Sequence, residues 1–132
     1  MTRFAIDPPT LLRLVEEDFE VDPKHQLVAP NSIRSQALDL LLARVQSGEM
    51  SESSAIALHE RMTELKMRLL GDRVSRRTAW QIALVNGWTT IQDADYLAVT
   101  KLQADALITL SPELARKAEG IVPLGRFEDL LV

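Results

Sequence analysis

The sequence predicts an α/β protein of three layers, with helices on both faces of a central, short-stranded parallel sheet. Short apolar runs at Arg3–Ile6, Gln26–Ala29, Ala106–Leu110 and Ile121–Leu124 read as strands. Between them lie longer stretches whose apolar residues recur at helical spacing. Strands joined by helical crossovers pair in parallel, and the crossovers cover both faces of the sheet.

The elements follow in order. RFAI ends at Asp7-Pro8-Pro9, because proline lacks a donor and fixes its φ; a helix carrying Leu11, Leu12 and Val15 can start there. The second strand closes at Pro30, and Asn31 or Ser32 can cap the next helix. Leu38, Leu41, Leu42 and Val45 give that helix one apolar stripe, ended by Gly48. Ser51 opens another, with Leu58, Met62, Leu65 and Leu69 inward and Gly71 as its stop. The short link between these two middle helices implies an antiparallel hairpin. A further helix spans Asp72 to Asn86, with Trp80, Ala83 and Leu84 inward and Gly87 after it. Thr89 or Thr90 caps the helix of Ala94, Leu97 and Ala98. Ser111-Pro112-Glu113 combines an N-cap, a proline at N1 and a first-turn carboxylate, and Gly120 closes that helix.

Composition narrows the chemistry. The 132 residues suit one domain, 1–132, and no apolar run is long enough to span a bilayer. MTRFAIDPP does not read as a signal peptide, so the expected compartment is cytoplasmic. Without cysteine there is no disulfide, thiol nucleophile or thiolate metal site. His25 and His59 fit no metal or triad spacing and read as surface residues. A net charge of -4 argues against coating nucleic acid by bulk charge. One stretch runs the other way: between Arg61 and Arg77 six cations face two acids, and Arg73, Arg76 and Arg77 are its candidate RNA contacts. Solvated helix faces, with Asp72 and Arg76 paired at i, i+4, are the competing role.

Ligands of an open parallel sheet sit beyond the carboxyl ends of its strands. Asp7 follows the first strand and Ser111 follows ALITL, while Asp93 stands in the first turn of its helix. In its order of elements the chain resembles the PIN-domain family, in particular VapC-type toxins. The residues that carry the likeness are MTRFAIDPPTLLRLV, HQLVAPNSIRSQALDLL, RLLGDRVSRRTAWQIA and, most specifically, TIQDADYLAVTKLQADALITLSPELARKAEGIVPL.

The resemblance implies a ribonuclease whose four acidic residues hold Mg²⁺ or Mn²⁺, a hard cation that activates water and steadies phosphodiester oxygens. Residue by residue, the four positions are Asp7, Gln36, Asp93 and Ser111, so two of the four carboxylates are replaced by neutral groups. Asp95 or Glu113 would be substitute metal ligands. Asp95, two residues past Asp93, should point away from a site Asp93 faces. Thr109 matches a supporting position beside the cluster. The expectation is a weak or silent nuclease, the alternative being an inactive binding or regulatory module. Implied partners are a second copy in a two-fold dimer, an antitoxin protein and RNA, with no membrane. The dimer would use one of the middle helices, whose apolar faces exceed what a short sheet can cover.

Overall fold

The computed structural model describes all 132 residues, Met1–Val132. Four strands form one parallel sheet: β1 (Thr2–Ile6), β2 (His25–Pro30), β3 (Arg68–Leu70) and β4 (Ala106–Ile108), in spatial order β3-β2-β1-β4. Six helices connect and flank them: α1 (Pro8–Glu16), α2 (Ile33–Gln46), α3 (Glu52–Glu64), α4 (Arg73–Asn86), α5 (Gln92–Gln103) and α6 (Pro112–Ala118). The chain walks outward from β1 to β3 and then returns to the far side of β1. Right-handed crossovers therefore place α1, α2 and α3 on one face and α4 and α5 on the other. Contacts agree, since α1, α2 and α3 pack on one another while α5 lies on β1, β2 and β4 beneath α4 and α6. The fold is the expected three-layer α/β/α sandwich.

Most junctions use the expected chemistry. Asp7, Ser51, Asp72 and Ser111 each accept a backbone N–H at the start of a helix. Gly87 ends α4 at φ 72°, in the left-handed region that residues with a Cβ rarely adopt. Gly87→Ala should cost about 1 kcal/mol, read as a lower denaturant midpoint with an unchanged m-value.

Several details differ from the sequence reading. The stretch read as one helix from Ser51 to Gly71 stops at Glu64, and Arg68–Leu70 is a strand at the sheet edge. Ile121–Leu124 forms no strand; Leu124 makes one isolated bridge to Leu107, and a 3₁₀ turn follows at Phe127–Leu130. Ser32 and Ile91 precede α2 and α5 without a side-chain cap, so neither Thr89 nor Thr90 serves as one.

Two inward faces also shift. α2 buries Ile33, Ala37 and Leu41, leaving Leu38 and Leu42 exposed. α4 buries Ser75, Ala79, Ile82 and Ala83, while Trp80 is 58% and Leu84 62% exposed. Small side chains at 75, 79 and 83 let α4 approach α5 closely, which a tryptophan in that seam would prevent. His25 and His59 are half-buried, each with Nδ1 closed off from solvent and unpaired.

Candidate functional site

The sheet order turns back between β1 and β4, and that reversal opens a crevice at the strands' carboxyl ends. Ile6 pairs with Ile108, so Asp7 and Thr109, the next residues of adjacent strands, stand side by side. A cleft of about 280 Å³ lies over this point, and Asp7, Gln36, Asp93 and Ser111 all line it. Four positions spread over more than a hundred residues thus converge on one hollow.

Asp7 is 1% exposed. Its Oδ1 accepts from the Thr10 backbone N–H at 3.1 Å and from the Thr10 hydroxyl at 2.5 Å, and its Oδ2 accepts from the Thr109 hydroxyl. Thr109 thus stands beside Asp7 and donates to its carboxylate. Burial pushes the Asp7 carboxyl above its usual value, and the donors from Thr10 and Thr109 pull against that rise.

The other three positions are also engaged. Gln36 Oε1 accepts from the Tyr96 phenol at 2.5 Å. Burial raises the phenol's pKa, so Tyr96 stays a donor. Ser111 Oγ accepts from Leu114 N at 3.2 Å and is spent on capping α6. Asp93 Oδ2 accepts from Lys117 Nζ at 2.9 Å, and the same ammonium lies 3.4 Å from Glu113 and 5.0 Å above the Trp88 ring. The hydrogen bond to Asp93 holds the Lys117 ammonium above its ordinary pKa, so it stays charged.

A divalent cation fits this donor set poorly. No three His, Asp or Glu side chains are grouped so that they could hold a metal ion. An ammonium held against Asp93 would repel a divalent ion sharing that carboxylate. A bound metal would therefore have to drive Lys117 out of both ion pairs.

The substitute ligands do not help. Asp95 lines a separate hollow with Asn31, Gly71 and Arg76, away from the cleft of Asp7 and Asp93. Glu113 lies outside the cleft lining and is held by Lys117. All three arginines, Arg73, Arg76 and Arg77, are exposed, and Arg76 donates to Gly71 O and Asn31 Oδ1, which makes it a brace between loops. Asp39, Tyr96 and Lys117 escaped the sequence reading as site residues. Asp39 lies on the lining one turn from Gln36, and Lys117 reaches the rim one turn from Glu113. The i, i+3 and i, i+4 spacings were the available signals.

No helix is long and apolar enough to cross a membrane. No protein-family model matches the chain, and no curated protein matches it. Among solved structures, the chain is similar to PAE2754 from Pyrobaculum aerophilum, with a TM-score of 0.75 over 98% of this chain and 92% of that one. At 21% identity the likeness is one of fold.

Proposed function

We propose that the chain is a PIN-like protein without nuclease activity, a binding or regulatory module that acts in the cytoplasm. The observation that carries this reading is that neither carboxylate left among the four cluster positions is free. Asp7 is buried under three donors, and Asp93 is neutralised by Lys117. Gln36 and Ser111 bring no charge, and their oxygens already accept hydrogen bonds. As partner we assign a second copy of the chain. The metal-dependent nuclease, with an RNA substrate and an antitoxin, is the second reading. It is favoured by the gathering of all four positions in one cleft.

Calorimetric titration with Mg²⁺ and Mn²⁺ near neutral pH separates the two. We expect no site tighter than millimolar, and no metal-dependent RNA cleavage above that of Asp7→Asn. A stoichiometric tight site, or cleavage that Asp7→Asn abolishes, would establish the nuclease instead.

A further inference from the structure

The sheet is open at β3, which ends the strand order and pairs with β2 alone. Leu70 O accepts from Asn31 N at 2.8 Å, so the backbone groups of Leu70 face β2. Backbone groups alternate sides along a strand, which turns the N–H and C=O of Leu69 away from the sheet. The Leu69 side chain is itself 38% exposed. Both ends of this segment are pinned. Arg34 donates to Met62 O and Leu65 O where the chain leaves α3, and Arg76 donates to Gly71 O just past β3. The edge is therefore held ready for a further strand, with little left to order on pairing.

Charge along the edge points to one kind of occupant. Cations alternate with apolar residues through Lys66, Met67, Arg68 and Leu69. Lys66, Arg68 and Arg73, the first residue of α4, are exposed and belong to none of the molecule's ion pairs. In a chain of net charge -4 this positive edge is a local feature. Cations on an open edge keep like edges apart, which disfavours a second copy adding here. The same charges select a strand of opposite sign. Side chains of a strand alternate between faces, so a strand with acids opposite Lys66 and Arg68 sets its intervening residues beside Met67 and Leu69, where apolar groups fit. A nucleic-acid backbone could meet the charges, but it has no amide groups to pair with Leu69.

We propose that the β3 edge takes an extended acidic segment of another protein, one in which Asp or Glu alternates with apolar residues, as a fifth strand of the sheet. Main-chain bonds to Leu69 supply the attachment, and Lys66 and Arg68 supply the selection, with Arg73 just past the strand's end. The proposal rests on the reading of the chain as a binding module and adds a partner other than a second copy. The metal titration tests that reading without involving β3, so a failure of one is distinguishable from a failure of the other.

The probe is a fluorescein-labelled hexapeptide of alternating glutamate and valine, titrated with the full chain by fluorescence anisotropy. The expected result is saturable binding that weakens at least tenfold between about 50 and 500 mM salt, because the selecting cations are exposed. Arg68→Glu should weaken it at least tenfold, with melting unchanged. Leu69→Pro removes an outward N–H and no bond to β2, so it should weaken binding as much in a chain that still folds. A peptide N-methylated at every residue makes the same test with the protein unaltered: it keeps its charge and side chains, loses its ladder donors, and should not bind. A parent peptide that fails to bind at millimolar concentration overturns the proposal. So does an N-methylated peptide that binds as tightly as its parent, or a folded Leu69→Pro chain with wild-type affinity. A single-stranded oligonucleotide that binds in an Arg68-dependent way while the peptide does not would also overturn it, and would assign the edge to nucleic acid.

Discussion

Replacing Gln36 with Glu, Ser111 with Asp and Lys117 with Met should turn the cleft into a divalent-metal site. Gln36→Glu exchanges an amide for a carboxylate of the same shape, still able to accept from Tyr96. Ser111→Asp keeps an N-cap acceptor for Leu114 N, so α6 retains its start. Lys117→Met removes the ammonium from Asp93 while filling much of its volume over Trp88. Four carboxylates in one hollow repel one another, which destabilises the metal-free variant and favours a cation.

Thermal melts should therefore show the triple variant less stable than wild type in chelator and rescued by Mn²⁺. If the dissociation constant is a hundredth of the added metal, the rescue is about 2.7 kcal/mol. The double variant that keeps Lys117 isolates the lysine's part. Breaking its two partly exposed ion pairs costs on the order of 1–2 kcal/mol, so Mn²⁺ should bind about tenfold more weakly there. A folded triple variant with no response to Mn²⁺ would mean that the backbone no longer gathers these positions as a metal centre.

Thr10→Val is expected to be the most damaging conservative change near the cleft. Thr10 is fully buried, and its hydroxyl donates to the Asp7 carboxylate, with Ile108 O also within reach at 3.2 Å. Removing the donor should cost about 1.5–3 kcal/mol at pH 7, the range for hydrogen bonds to charged groups. The pH dependence has a definite sign. The folded Asp7 carboxyl sits above its ordinary value of 3.8, so the folded state holds the proton to higher pH than the unfolded chain. Stability is fully present below 3.8 and falls as pH rises through the raised value. Thr10→Val removes a group that lowers this pKa, so its penalty should grow from acid to neutral pH.

Asp7→Asn removes the buried charge and should gain stability on the order of 1 kcal/mol at pH 7, as is common when a functional cleft is relaxed. On that background Thr10→Val should cost less than about 1 kcal/mol. A double-mutant cycle by urea unfolding measures this coupling. Equal Thr10→Val penalties on the two backgrounds would show that the hydroxyl serves Ile108 O rather than the carboxylate.

How much of this was legible in the sequence depends on which residues carried the signal. Prolines, glycines and short polar caps act through their own backbones, so the starts at Pro8, Ser51, Asp72 and Ser111 could be read locally. β3 could not. Leu65 and Leu69 continue the helical spacing of α3, and only pairing with β2, some forty residues earlier, makes Arg68–Leu70 a strand. The inward faces of α2 and α4 were obscured for a related reason. Large apolar residues surround both helices, and the close approach of a neighbour, which the sequence does not display, selects Ala37 or Ala79 over Leu38 or Trp80. In the cleft, positions 7, 36, 93 and 111 were placed by resemblance, and all four line one hollow. The engagement of all four was not legible, because Lys117 and Tyr96 act through space on partners from other elements.

Contacts that bridge β1 and β4 also carry a consequence for how the chain acquires its site. Asp7 and Thr109 are 102 positions apart, Thr10 and Ile108 98, and Arg3 N donates to Asp105 across 102. A ribosome adding about 5–20 residues per second delivers β1, α1 and β2 many seconds before β4 exists. During that interval the β1 edge that β4 will cover has no partner, and the Asp7 carboxylate is still wet. Closing loops of this span comes late in folding, because their entropy must be met before the pairing rewards it. The cleft is thus assembled as one of the last events of synthesis. Any nascent chain halted before residue 106 presents an open strand edge to its neighbours, and so offers a template for aggregation rather than a partly built site.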